Sequence, residues 1–263
     1  MAETGLMKAP AALPVLGPVA KWRIGIIVSI LLGWEALAAS GLLYRDVVPS
    51  LVAIGRALIG ILADPSYYWH LGVTAGEIGL ALAMGGGSGL VVGLLLGGNK
   101  LLGKAFEPYL YYLGPTPKII FFPVMIMWFG VGPASKVALG AVSAFFPIAL
   151  SVAAGMRQID PALIRVGRSF RANALQMATK IYMPAMRHPI LNGVRLGLGV
   201  ALIGTLLAET KLSNRGVGFL IIQAYSLFDM PRMYAMLIVL FALSIGANTL
   251  ISRLGGLDAI RRR

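Results

Sequence analysis

The densest set of chemically capable side chains lies in residues 156–192, MRQIDPALIRVGRSFRANALQMATKIYMPAMRHPILN. Asp160 followed by Pro161 reads as a helix start, because a carboxylate caps the first free N–H groups and proline suits the first helical position. From there Leu163, Val166 and Phe170 fall on one helical face, and Arg165, Arg168 and Arg171 fall largely on another. Guanidinium groups recognise carboxylates and phosphates. An apolar stripe beside them suits docking on a soluble partner or lying on a membrane. This is recognition chemistry rather than bond making. A solvated basic loop that merely enforces topology would use the same residues, and the pattern alone leaves both open.

Little else in the chain offers bond chemistry. There is no cysteine, so no disulfide framework and no thiolate metal site. The two histidines, His70 and His188, are far apart in sequence and read as interfacial or loop residues rather than zinc ligands. No nucleophile–base pairing is apparent. No phosphate-binding P-loop occurs, so any ATP-driven work needs a second subunit to bind the nucleotide. The chain reads as a non-enzyme that binds no metal or cofactor of its own.

Composition says what surrounds these residues. Of 263 residues, 58% are hydrophobic and only 13% charged, with a mean hydropathy of +0.82. A soluble domain carries roughly 25% charged residues. This chain needs lipid as a second apolar solvent. The formal charge of +13 would suggest nucleic acid on a soluble protein, but here the basic residues sit between apolar runs.

The apolar runs organise the chain as an all-α membrane protein with six transmembrane helices. Residues 1–23 form an N-terminal tail, residues 24–253 the membrane domain, and residues 254–263 a basic tail ending in Arg261-Arg262-Arg263. The spans are expected near residues 24–43, 71–96, 105–131, 134–154, 193–208 and 233–251. Residues 50–62 are expected along the interface. Residues 156–192 and 209–232 are too polar to span. Ala36-Leu37-Ala38 mimics a signal-peptidase site, but the long leader and Glu35 favour an uncleaved first helix.

Two details sharpen the picture. Gly85, Gly89, Gly93 and Gly97 recur every four residues, which lets a neighbouring backbone approach one face of the second span. Pro115, Pro117 and Pro123 interrupt the third, which is therefore expected to be bent and to face the bundle interior.

Orientation follows from charge. With the N-terminus in the cytoplasm, most of the 23 lysines and arginines lie on the cytoplasmic side, including every basic residue of residues 156–192. The opposite side holds Arg45, Arg56, Lys136, Lys211, Arg215 and Arg232. The chain is expected in a bacterial inner membrane with both termini in the cytoplasm.

Ionisable residues inside a bilayer are functional candidates by default. Glu35 sits in the first span beside Trp34, either facing the bundle or packing its own helix. Glu77 reads as an interfacial residue at a helix end, and Glu209 closes the fifth span on the outer side. Glu35, Trp128, Phe145, Phe146 and Glu209 are candidate lining residues of a translocation path, although aromatics at such positions also serve as packing or belt residues. Lys118, near the helix break, either helps an anion pass or snorkels.

The polar loop between spans four and five resembles the EAA loop that ABC importer permeases present to their ATPase. Aligned on Ile181 and Pro184, the residues Arg168-Ser169-Phe170, Ala172, Gln176 and Ala185 fit that pattern. Gly167 takes the position of the second alanine. Two positions depart from it: Arg165 stands where the acid belongs and Arg171 where the loop glycine belongs. Outside the loop, Trp34-Glu35, Val48-Pro49-Ser50 and the run from Pro117 through Phe122-Pro123-Val124-Met125-Ile126-Met127-Trp128-Phe129-Gly130-Val131-Gly132 are similar to the nitrate/sulfonate/taurine branch. So are Phe145-Phe146-Pro147, Gly155, Gly193-Val194-Arg195-Leu196 and Ala208-Glu209.

The resemblance implies a type I importer permease fold and a permease dimer, most simply a homodimer, around one path. It implies an ATPase subunit that carries ATP and Mg, and a soluble or lipid-tethered binding protein outside. The loop from Arg165 through Val166, Gly167, Arg168, Ser169, Phe170, Arg171, Ala172 and Asn173 to Ile181 and Pro184 would then be the mechanical link to the ATPase. The substrate would be a small anionic solute. A secondary transporter or channel without an ATPase is the main alternative, ahead of a membrane enzyme or a structural subunit.

Overall fold

The computed structural model describes residues 18–42 and 47–254. The expectations for the outermost tails and for Arg45 lie outside these residues. Among the described residues every regular element is a helix. Five helices are long and apolar enough to cross a membrane, or six if one bent pair counts as a single span. The six-span expectation stands on that count.

The first crossing helix, α1 (Pro18–Ala39), is peripheral, with almost every residue exposed to the surrounding apolar medium. Two side chains tie its C-terminal end. Trp34 Nε1 donates to the Pro49 carbonyl at 3.0 Å, and Glu35 Oε2 accepts the Leu51 N–H at 2.8 Å. The second contact places a carboxylate on the first turn of α2 (Leu51–Ala63), which Ser50 also caps. Asp64 then caps α3 (Pro65–Gly98), whose proline sits in the first turn.

At 34 residues, α3 is about 50 Å long, more than the roughly 30 Å hydrocarbon layer requires. Its four-residue glycine repeat does what the spacing predicts. A Cβ at Gly85 would overlap the Ala141 carbonyl oxygen, one at Gly89 would lie 2.8 Å from that of Phe145, and one at Gly97 2.7 Å from that of Ala153. The partner is α6 (Pro133–Arg157), so backbone meets backbone along the whole crossing.

The third crossing is broken. Helix α4 (Lys100–Leu113) is followed by a 3-10 turn (Lys118–Phe121) and α5 (Phe122–Phe129), with a 91° bend between the two halves. The carbonyls freed at the end of α4 need donors. Lys118 Nζ supplies them, donating to the Gly114 carbonyl and to those of Thr116 at 3.1 Å and Leu113 at 3.4 Å. Elsewhere on α4, Glu107 pairs with Arg157 of α6.

Beyond α6 come α7 (Pro161–Ser169), α8 (Ala174–Met177), a π-helical turn (Ala178–Tyr182) and α9 (Met183–Lys211). The last three join into one apolar helix, Ala174–Lys211. The helix that carries the fifth span therefore begins well before residue 193, through polar residues that hydropathy alone does not register as helical.

Within residues 209–232, read from sequence as a polar stretch, lies α10 (Val217–Ser226), a short apolar helix. Finally α11 (Met230–Leu254) packs with α2 and α10, where Trp34 meets Tyr234 edge-on at 5.2 Å.

Candidate functional site: a basic helical hairpin and a buried polar lock

The hairpin of residues 160–184 is built from local rules. Asp160 accepts the Ala162 N–H at 2.7 Å and starts α7. The helix stops in a Schellman turn. The Ala172 N–H reaches the Gly167 carbonyl at 3.0 Å, and the Arg171 N–H reaches the Arg168 carbonyl at 2.9 Å. Arg171 occupies the left-handed position with φ 52°. Glycine is the usual occupant there, because a side chain costs about 1–2 kcal/mol in that conformation. Asn173 and Gln176 then exchange hydrogen bonds at 2.8 and 2.9 Å in a capping box that starts α8.

Helix α7 folds back on α8 and the π-helical turn. Gly167 is buried, and a Cβ there would overlap Ile181 Cδ1 and lie 2.6 Å from Met177 Sδ. A small residue at this position thus closes the hairpin. The opposite side of the hairpin is open: Val166, Leu175 and Phe170 are exposed, Phe170 by 83%. Arg165, Arg168 and Arg171 are exposed among them. Apart from Asp160, which is occupied at the helix start, residues 157–187 contain no acid to neutralise them.

A second constellation lies at the opposite end of the bundle. Glu209 is fully buried at the end of α9. Its Oε1 accepts from Thr74 Oγ1 at 2.7 Å, and its Oε2 accepts the Gly218 N–H at 2.6 Å. Thr74 Oγ1 in turn accepts the Val217 N–H at 2.8 Å, and His70 Nδ1 accepts the Gly216 N–H at 3.1 Å. Three consecutive N–H groups at the start of α10 are therefore held by side chains from α3 and α9. Gly216 has φ 97°, and a Cβ there would overlap the Glu209 carboxylate. The turn closes over the acid only because it has no side chain.

Glu77 belongs to this group, which corrects its reading as an interfacial residue. It lies inside α3, 4% exposed, beside the Glu209 carboxyl, and among the described residues no donor hydrogen-bonds to either of its oxygens. Lys136 of α6, also buried, sits within electrostatic reach of Glu77 and Glu209, while its Nζ caps the Val131 and Gly132 carbonyls. Sequence reasoning did not single out His70, Thr74, Lys136 and Gly216 as members of such a cluster. The one signal it offered was the Gly216-Val217-Gly218 run a few residues beyond Glu209.

The five candidate path residues do not converge. Glu35 ties α1 to α2, and Glu209 anchors the polar lock. Trp128 is 72% exposed at the end of α5, edge-on to Phe129. Phe145 and Phe146 pack edge-on at 5.2 Å, but only Phe146 borders the cavity of about 550 Å³ at the helix break. Lys118 Nζ lies 4.9 Å from the Phe146 ring on that wall, with Tyr111, Ser143 and Leu207 around it.

Comparison with known proteins adds an independent line. A family model described as "Binding-protein-dependent transport system inner membrane component" matches residues 89–257. The putative aliphatic sulfonates transport permease protein of Bacillus subtilis is 30% identical over 220 residues, covering 83% of this chain and 80% of the relative. The taurine transport system permease protein of Escherichia coli is 28% identical over 253 residues, covering 89% and 92%. The formylaminopyrimidine transport permease protein of Halalkalibacterium halodurans is 26% identical over 193 residues, covering 73% and 77%.

Proposed function

The chain belongs to the family of binding-protein-dependent transport system inner membrane components, and from that premise we propose that it is the permease of an ATP-driven importer of a small anionic solute. The family is one of transport permeases, not enzymes. The observation that carries the coupling role is the hairpin of residues 160–184. It is a pre-formed, capped element closed by a small-residue contact at Gly167, and its apolar and cationic face is left uncovered by the described residues. A face of that kind is built to be covered.

In this reading the cover is an ATP-binding subunit that holds ATP and Mg. ATP binding draws two such subunits together and tilts the hairpins of two permease copies, which opens the path outward. A binding protein on the far side delivers the solute. The basic hairpin faces the cytoplasm, as does each terminus. An anionic solute is supported by relatives named for sulfonates and taurine, and the cavity at the helix break has no acid in its lining.

Arg165 and Arg171 give the partner a specific character. A cleft lined with basic groups would repel them, so the ATPase cleft carries an acid facing one or both. Purification of the tagged chain from its native membrane should recover a P-loop ATPase, with hydrolysis raised by the binding protein. Arg165→Glu should lower that stimulation about tenfold, and a reciprocal acid-to-Arg change in the cleft should restore it. Recovery of the chain alone, transporting in liposomes without ATP, would overturn the reading. Full stimulation in Arg165→Glu with the native ATPase would overturn the acidic cleft alone.

A further inference from the structure

Two carboxyl groups meet in the buried polar lock, and only one of them is supplied with donors. Thr74 and Glu77 are three residues apart on α3 and share one face of it, and both turn toward Glu209 of α9. The Glu77 carboxyl lies within hydrogen-bonding reach of the Glu209 carboxyl. Glu209 is fully buried and accepts one donor on each oxygen, Thr74 Oγ1 on Oε1 and the Gly218 N–H on Oε2. Glu77 is equally enclosed, yet among the described residues no donor reaches either of its oxygens.

The charges around the pair do not settle this contact. Lys136 of α6 and Arg215, just before α10, are the cations that act on Glu77. Neither makes an ion pair with either acid among the described residues. Lys136 Nζ is spent on the Val131 and Gly132 carbonyls. His70 of α3 accepts the Gly216 N–H on Nδ1, so that nitrogen carries no proton. Helix α10 has no charged residue. Two ionised carboxylates in contact repel, and burial strengthens the repulsion. One proton removes it and turns the contact into a strong O–H···O hydrogen bond.

We propose that Glu77 and Glu209 bind a single proton between them, carried on Glu77 as a carboxylic acid whose O–H donates to the Glu209 carboxylate. The donors decide which acid carries it. Glu209 is held as a carboxylate by Thr74 and Gly218, whereas Glu77 has nothing to hold a negative charge. The proton joins α3 to α9 beside the N–H groups that start α10. Its loss sets two like charges against each other there and loosens that start. A cleft of about 640 Å³, bordered by Glu209 and by the exposed Lys211 and Asn214, gives the proton a route to water.

The test is infrared spectroscopy on the full chain in nanodiscs at neutral pH, followed by titration to alkaline pH. The wild type should show a carboxylic C=O absorption at neutral pH, where an ordinary glutamate is ionised. The band should shift in heavy water and disappear on alkalinisation. Glu77→Gln, whose amide N–H can still donate to Glu209, should lose the band. Glu35→Gln, which removes an acid outside this cluster, should keep it. Amide exchange at Val217 and Gly218 should match in the wild type and Glu77→Gln at neutral pH and be faster in the wild type at alkaline pH. A wild type with no such band at neutral pH overturns the proposal without recourse to any variant. So does a band that survives in Glu77→Gln, exchange that stays matched at alkaline pH, or a band that sodium chloride removes at constant pH, which would assign the pair to an alkali cation instead.

Discussion

Gly93 of α3 lies directly against the backbone of Ala149 of α6: a Cβ at Gly93 would fall 2.6 Å from the Ala149 carbonyl oxygen and 2.6 Å from Val152 Cβ. Neither atom can swing away, because one is main chain and the other is fixed to it. Gly93→Ala should therefore lower thermal stability in detergent, by about 1–3 kcal/mol. Gly87, on the same helix with nothing within 4 Å of its Cβ position, is the internal comparison. Gly87→Ala should be neutral or stabilising by up to about 1 kcal/mol. Similar melting of both variants would mean that α3 and α6 are not in this register.

Arg171 holds the left-handed position that closes α7. Replacing it with glycine should relieve about 1 kcal/mol and make the hairpin more resistant to limited proteolysis. Arg171→Val should do the reverse. If the guanidinium also contacts an ATPase, Arg171→Gly will gain stability while losing nucleotide coupling, and measuring both separates the two effects.

Glu209 accepts from Thr74 and from the backbone at Gly218. Glu209→Ala leaves that N–H buried without an acceptor and should cost about 1–3 kcal/mol. Glu209→Gln keeps one acceptor and should fall between the wild type and Glu209→Ala. Amide hydrogen exchange at Val217 and Gly218 is the direct readout. Faster exchange is expected in Glu209→Ala and Thr74→Val, and unchanged protection in both would mean that these side chains do not hold the start of α10.

Asp64, between α2 and α3, is held below the usual carboxylate range by hydrogen bonds from Ser66, from its side chain first and its backbone second. A lowered folded-state pKa contributes stability above the ordinary value near 3.9 that disappears as pH falls through the folded value. Acidification below about pH 4 should therefore fray the first turn of α3, and Asp64→Asn should abolish that pH dependence. Proton exchange at Ser66 and Tyr67 across that range measures it.

How much of this the sequence disclosed depends on the reach of each interaction. The glycine repeat of α3 and the prolines of the third crossing act through their own backbone, so spacing alone revealed the close helix contact and the bend. The start of α7 at Asp160-Pro161 was legible for the same reason. Helix α10 was not, because Val217–Ser226 is short and flanked by polar residues that averaged it away. Glu77 was misjudged because its neighbours, Glu209 and Lys136, come from α9 and α6, and no local pattern links them. Arg171 hid a Schellman turn, since an arginine in that conformation gives no compositional hint.

The continuity of Ala174–Lys211 has a mechanical meaning. A helix of 38 residues is a rod about 57 Å long, with the hairpin at one end and Glu209 at the other. A tilt of about 10° at the hairpin displaces the far end by about 10 Å, more than any of the hydrogen bonds around Glu209 can stretch. If the hairpin is pushed by an ATPase as proposed, no chain of side-chain rearrangements is needed to carry that push to the opposite end: the rod acts as a lever, and Glu209, which holds the Gly218 N–H at the start of α10, moves with it.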